Sequence, residues 1–313
     1  MVPVTRFTSL AAVEAWDSRY RWRQDGRSRD ASIDATWRRV ADAVAAAEGS
    51  MAPLWAHRFV TAFNRWQLLP DERLLRVAGT DVAYRGLSDP AAAINVAAFV
   101  SGDGMGMPCF DRSRLVETAA LATRFLDDAL VCYGSDNVGS LRVGLVGLAD
   151  AFRMLEMPYG SEAARQFAMT VATLLAEGSL RGNIDLAAER GGMNGPSARD
   201  SFADRMRRRR MPAPLIAEVL KQGVRHPQVT ALDPHPGLAL LANDAADALD
   251  PLPGDAMRGY DEQGNCTLVA HARLIAALQP CIDQEIRPSH TRLDGGPAWI
   301  PASRGQDRTI TRR

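Results

Sequence analysis

The side chains best suited to nucleophilic, redox or metal chemistry are four cysteines, five histidines and a single lysine. Cys109, Cys132, Cys266 and Cys281 form no CxxC pair and no structural-zinc spacing, so neither a dithiol motif nor a zinc site is legible. His57, His226, His235, His271 and His290 show no HExxH or paired-ligand spacing, and His271 follows Cys266 without a second pair. No metal site is expected. Lys221 is the only lysine, so a Schiff-base or lysine general-base mechanism would have to use it. Asp127, Asp128 and Asp150 could serve acid–base work, but they fall inside helical patterns, where ion pairing and helix capping are expected. Arg205 and Arg207 to Arg210 could meet phosphate or an acidic partner. No aromatic residues interleave them, and they read as part of a solvated linker.

The elements that must position these residues belong to a chain of 313 residues with 37 basic and 37 acidic side chains. Zero formal charge argues against a dedicated nucleic-acid or membrane-surface binder. No apolar run approaches the roughly 18 to 20 residues that cross a bilayer, and no cleavable signal is legible, so a reducing cytoplasmic setting is expected.

Helical spacing predicts segments from Leu10 to Arg23, Thr36 to Glu48 (Ser32 or Asp34 as cap) and Leu54 to Trp66. Leu69 to Pro90 holds no pattern, and Ala91 to Val100 reads as a buried strand or a short helix. Ser101 to Pro108 reads as a flexible loop. Three consecutive helices are expected over 113–132, 140–157 and 161–190, with Phe125, Leu148 and Phe167 between them. The second rests on Leu141, Leu145, Leu148, Phe152 and Leu155; Ser161 caps the third, and Gly191-Gly192 ends it. Gly192 to Arg210 reads as a polar linker, Pro212 to Gln222 as a short helix, Val229 to Leu241 as a strand broken by Pro234 and Pro236, and Thr267 to Ile286 as a final helix.

Several stretches, in order, resemble the large chain of adenosylcobalamin-dependent (class II) ribonucleotide reductase. Trp16 to Arg21, Ser32 to Ala41, Leu69-Pro70 and Ala78-Gly-Thr80 are similar to the helical region before its barrel. Ala93 to Val100 is similar to "SINL..FV", Arg124-Phe-Leu-Asp-Asp128 to "RxLDN", and Arg142 to Asp150 to "RRIGLGVMGLAD", the most specific match. Leu155 to Ser161, Ala187 to Gly191, Gly223-Val-Arg225, Leu249-Asp-Pro251 and Gln279 to Asp283 continue the series. The resemblance implies a mainly α fold with a small residual β component, a helical remnant of the reductase large-chain fold. It divides the chain into an N-terminal helical segment (1–90), a helix-rich segment similar to the C-terminal part of the barrel domain (91–290) and a tail (291–313).

The departures from that pattern shape the functional expectation. Only about a dozen residues join Ala78-Gly-Thr80 to Ile94-Asn95, where the family carries most of its barrel with the radical cysteine and the redox pair. None of the four cysteines matches a family catalytic cysteine. The family's phosphate loop, "APTGTIS", aligns with Asp233, Pro234, His235, Pro236, Gly237, Leu238 and Ala239. That segment lacks the hydroxyls, loses a backbone donor at Pro236 and adds a negative charge at Asp233. The expectation is a catalytically inactive reductase-like protein, accessory or regulatory to deoxyribonucleotide synthesis, with no catalytic residue, no metal and no adenosylcobalamin. Its implied partners are an intact reductase chain or a second copy of itself. Two alternatives stay open: an auxiliary chain of a split adenosylcobalamin-dependent reductase, and a nucleotide- or nucleic-acid-binding module using Arg205 to Arg210.

Overall fold

The computed structural model describes residues 6–102, 106–134, 138–192, 195–253 and 267–287. Cys266, His290 and the tail from 291 lie outside these residues.

The N-terminal region is helical. α1 (Leu10–Ala15) continues into a π-turn (Trp16–Tyr20), and a short hairpin, β1 (Arg23–Gln24) with β2 (Arg27–Ser28), leads to α2 (Ile33–Ala45). α2 buries Trp37, Val40, Ala41 and Val44 on one face, as their spacing predicts. Ser32 makes no side-chain cap, and Asp34 pairs with Arg6 instead. A 3₁₀ turn (Ala46–Met51) joins α2 to α3 (Ala52–Asn64). The patternless stretch after Leu69 holds one further short helix, α4 (Glu72–Val77), behind β3 (Leu68–Leu69). Asp71 starts α4 by accepting the Arg73 N–H at 2.8 Å.

The larger part of the chain is built on β4 (Ala91–Asn95) and β7 (Arg142–Val146), which pair in parallel through α5 (Arg112–Tyr133), a βαβ crossover. Between them, β5 (Val100–Gly102) and β6 (Pro108–Phe110) form a hairpin where a loop was expected. β3 pairs antiparallel with β4, so the sheet order is β3-β4-β7. No closed barrel forms among the described residues. The free edge of β7 is covered from within: Leu141 and Val143 donate to Gln228 and Val229, and Ala231 donates back to Val143, at 2.8–3.1 Å. Asp283 then accepts the N–H groups of Val229 and Thr230.

The expected helix over 140–157 is corrected. Residues 142–146 are strand, and α6 (Leu148–Met154) begins only after Gly147. Gly147 sits at φ 69°, and a Cβ there would strike the Asn95 side chain, so the strand-to-helix turn needs glycine. α7 (Glu162–Arg190) follows, with Ser161 Oγ accepting the Ala164 N–H at 3.1 Å. Phe125 and Leu148 are buried, whereas Phe167 is half-buried against Phe110 and Phe152.

The expected linker before Arg210 is also corrected. It contains α8 (Pro196–Arg208), which buries Phe202, Ala203 and Met206 with α9 (Ala213–Gln222) in a small second core against α7. α10 (Pro236–Leu241) and α11 (Thr267–Leu278) complete the described helices. The main core runs from Phe7 to Ile286, so the N-terminal helices and the sheet share one interior. Phe59 and Phe63 of α3 meet Phe125 of α5 edge-on at 5.1 and 5.5 Å, which fixes the two helices against each other.

Candidate functional site

The segment from Asp233 to Ala239 emerges beside β7, directly after the stretch that covers that strand's edge. The Asp233 carboxylate and the His235 backbone N–H are turned to internal partners. Asp233 pairs with Arg142, which opens β7, with Nε at 2.9 Å. The His235 N–H donates to Asp247 at 2.7 Å. The His235 Nε2 is buried without a hydrogen-bond partner, near Gly144, and burial holds the ring below its ordinary pKa. Pro236 takes the first position of α10, where a missing N–H costs the helix nothing.

The space in front of Gly237 is filled by Glu72. A Cβ on Gly237 would lie 2.6 Å from the Glu72 carboxyl carbon and 2.7 Å from Oε2. The Tyr20 hydroxyl donates to that carboxylate at 2.8 Å, and Arg76 approaches it at 3.3 Å. Burial, then Glu72, raises the Tyr20 pKa, so the phenol stays a donor. Where a loop for phosphate would leave N–H groups open to an anion, this segment is closed by a carboxylate of its own chain. Sequence reasoning marked the segment but missed Glu72, which carries no local signal.

A second constellation lies inside the molecule. Asp127 and Asp128 of α5 are fully buried. Asp127 is bound by Arg190 and Arg225 and receives His226 Nε2 at 2.9 Å. Burial raises its pKa, but the hydrogen bonds from His226 and Arg225 outweigh that effect and leave it lowered. Asp128 lies 2.8 Å from Arg190 Nη2, yet neither of its oxygens accepts an aligned hydrogen bond. Burial therefore pushes its pKa up to about 8, with Arg190 opposing and Glu48 reinforcing the shift. Glu48 bridges Arg124 and Arg190 at 2.8 and 2.7 Å, and Glu189 holds Arg124 from the other side. Asn183 orients the last members, accepting the N–H groups of Arg225 and His226 at 3.0 and 2.8 Å. Ion pairing was expected for the two aspartates; Glu48, Arg190, Arg225 and His226 were not foreseen.

This network reaches the surface at a cleft of about 610 Å³ between α3, α5 and α7, where Arg124 and Glu189 form part of the lining. Trp55 stands beside Arg124, whose guanidinium is 4.2 Å from the ring centre.

The remaining candidates separate. Cys109 is exposed on β6. Cys132 is half-buried near Val44, and burial raises its thiol pKa; Cys281 lies beside Thr173. His57 is exposed, and His271 Nδ1 meets the Tyr159 hydroxyl at 2.8 Å. Asp150 pairs with Arg153 and accepts the Ala246 N–H. In the arginine run, Arg205 packs over Phe202 and donates to Pro227, Arg209 pairs with Asp283, and Arg207 pairs with Asp204. Among the described residues, no three His, Cys, Asp or Glu side chains are grouped to hold a metal ion. No described helix is long and apolar enough to cross a membrane.

The family model for the ribonucleotide reductase barrel domain covers residues 91–281, from the first residue of β4 to the turn after α11.

Proposed function

We propose, because this chain belongs to the ribonucleotide reductase barrel-domain family, that it is a catalytically silent reductase-like protein, accessory or regulatory to deoxyribonucleotide synthesis. The observation that carries this reading is the Glu72 carboxylate lodged against Gly237. It occupies the space before the segment Asp233, Pro234, His235, Pro236, Gly237, Leu238 and Ala239, which aligns with the family's substrate-phosphate loop. An incoming phosphate would have to displace a carboxylate already held by Tyr20 and Arg76. Like charges about 4 Å apart repel by on the order of 1 to 4 kcal/mol, depending on the local dielectric.

The resemblance points to the class II, adenosylcobalamin-dependent branch, shortened between Thr80 and Ile94, with an N-terminal helical segment to residue 90 and a barrel-like segment to 290. The side chains described do not fit the chemistry of that cofactor, which needs a shielded thiol close to the substrate sugar. Cys109, Cys132 and Cys281 stand on β6, on α5 and in the turn after α11, three separate places, none within the segment Asp233 to Ala239.

With adenosylcobalamin, a dithiol and ribonucleotide, the purified chain is expected to form no deoxyribonucleotide. Calorimetry with the four common ribonucleotides is expected to show no binding tighter than millimolar. Cofactor-dependent turnover, or micromolar binding abolished by a bulky residue in place of Gly237, would overturn the reading.

A further inference from the structure

We propose that the β1–β2 hairpin is a contact surface for single-stranded nucleic acid, with Arg27 and Arg29 on its phosphates and Trp22 against a base. The zero net charge of the chain hides a local excess. Residues 19–29 hold five arginines and one aspartate, and Tyr20 and Trp22 alternate with Arg19, Arg21 and Arg23. Arginines interleaved with aromatic residues suit a ligand that offers both phosphates and bases. This cluster is separate from Arg205 to Arg210, which lie on and just after α8.

The backbone sets the arrangement. Asp25 and Gly26, at φ 51° and 73°, make the two-residue turn that hairpins favour, so Arg23 stands opposite Ser28 and Gln24 opposite Arg27. The Arg29 N–H donates to the Trp22 carbonyl at 2.9 Å, which continues the pairing outward. Alternate residues of a strand share a face, so Trp22, Gln24, Arg27 and Arg29 lie on one side of the hairpin. A lone two-stranded hairpin is barely stable, and this one is pinned to the body. The Asp81 carboxylate accepts Trp22 Nε1 at 3.2 Å and Gln24 Nε2 at 3.1 Å, and Asp30 accepts the Trp22 N–H at 3.1 Å.

The charges and the ring select the partner. Arg27 and Arg29 are exposed and form no hydrogen bond or ion pair among the described residues. Arg21 and Arg23 share the Asp17 carboxylate at 2.7 Å each, so one of those two positive charges is uncompensated. Exposed guanidinium groups hold a single phosphate weakly, because water and salt screen them. A chain of phosphates touches several at once and gathers affinity that a mononucleotide does not. Trp22 is half-buried, with the Arg39 guanidinium 6.0 Å from its ring centre. The rest of the ring can stack on a base, which favours nucleic acid over an acidic peptide and an unpaired strand over a duplex. The Asp25-Gly26 tip offers no apolar side chain to a lipid surface.

Fluorescence anisotropy of a labelled oligouridylate of about 16 nucleotides, titrated with the full chain, tests this. At about 50 mM salt the parent is expected to bind with a Kd on the order of 1–100 µM. Three phosphate contacts at roughly 0.7 each predict a log–log salt slope of about −2. Changing both Arg27→Gln and Arg29→Gln, at exposed positions, is expected to raise Kd at least about tenfold and to flatten the slope by about 1.4. Removing the same charge elsewhere, by Arg208→Gln with Arg210→Gln, is expected to leave binding unchanged. Circular dichroism confirms that each variant is folded. A parent that shows no binding at about 100 µM overturns the proposal. So does an equal loss in the Arg208–Arg210 pair, which would make the attraction a matter of total charge. Equal affinity for a duplex of the same length, or for polyglutamate of the same charge, also overturns it.

Discussion

The carboxylate of Glu72, in the first turn of α4, lies directly against Gly237, in the first turn of α10. The contact joins the N-terminal helices to the segment Asp233 to Ala239, for which we propose descent from a phosphate loop. It makes the glycine a steric requirement of this chain.

Gly237→Ala is expected to destabilise the protein by about 1–3 kcal/mol, the usual range for forcing an atom into filled space. In a Glu72→Ala background the same change should cost much less, because the obstructing carboxylate is gone. Urea unfolding of the four variants measures the coupling. Equal costs in both backgrounds would show that the contact does not constrain the loop.

Asp128 gives a pH signature. Its folded pKa is about 8, above the ordinary carboxyl range. Between those values the native state holds a proton that the unfolded state releases, so stability falls as pH rises through this window and levels off above it. Asp127 works the other way: its lowered pKa supports the fold above the ordinary carboxyl range and is lost only under acid. Asp128→Asn is expected to flatten the melting temperature between pH 5 and 8.5 while leaving the acid limb in place. An unchanged slope would mean that Asp128 is ionised at neutral pH.

Gly178 lies where α7 crosses α5, and a Cβ there would fall 2.7 Å from Ala119 Cβ and onto the Val116 carbonyl. In an open helix, Gly→Ala is stabilising by about 1 kcal/mol. Here the sign is expected to reverse, with Gly178→Ala lowering stability by about 1–2 kcal/mol as the two helices are pushed apart. Thermal unfolding reads the sign directly.

Leu148 is 1% exposed at the start of α6. Leu148→Ala is expected to cost about 2–5 kcal/mol, with the spread set by how far Phe152 and its neighbours collapse into the space. A cost under about 1 kcal/mol in chemical denaturation would place that side chain outside the packed core.

The long helices were legible because their signals are local. Asp111 and Ser161 cap α5 and α7 where polar residues precede apolar periodicity. β7 was read as helix because Leu141, Leu145 and Leu148 fall at helical spacing by coincidence of strand, turn and helix. The short run Arg142–Val146 is buried on both faces beyond its first residue, so no alternation marks it. α8 was hidden by its arginines, since only Phe202, Ala203 and Met206 face inward. The segment Asp233 to Ala239 could be singled out by resemblance, but Glu72 and the partners of Asp128 come from distant parts of the chain, and nothing in their neighbours announces the meeting.

The cover over β7 has a further consequence, for the order of events on the ribosome. β4 and β7 can pair once residue 146 has emerged, but the strand's outer edge waits for residues 228–231 and for the Asp283 carboxylate that braces them. Such distant pairing is slow to form. Throughout that interval the nascent chain presents an open, apolar parallel edge of the kind that recruits other strands. Early chaperone engagement is therefore built into the topology, and shortened products ending before residue 228 are expected in the insoluble fraction.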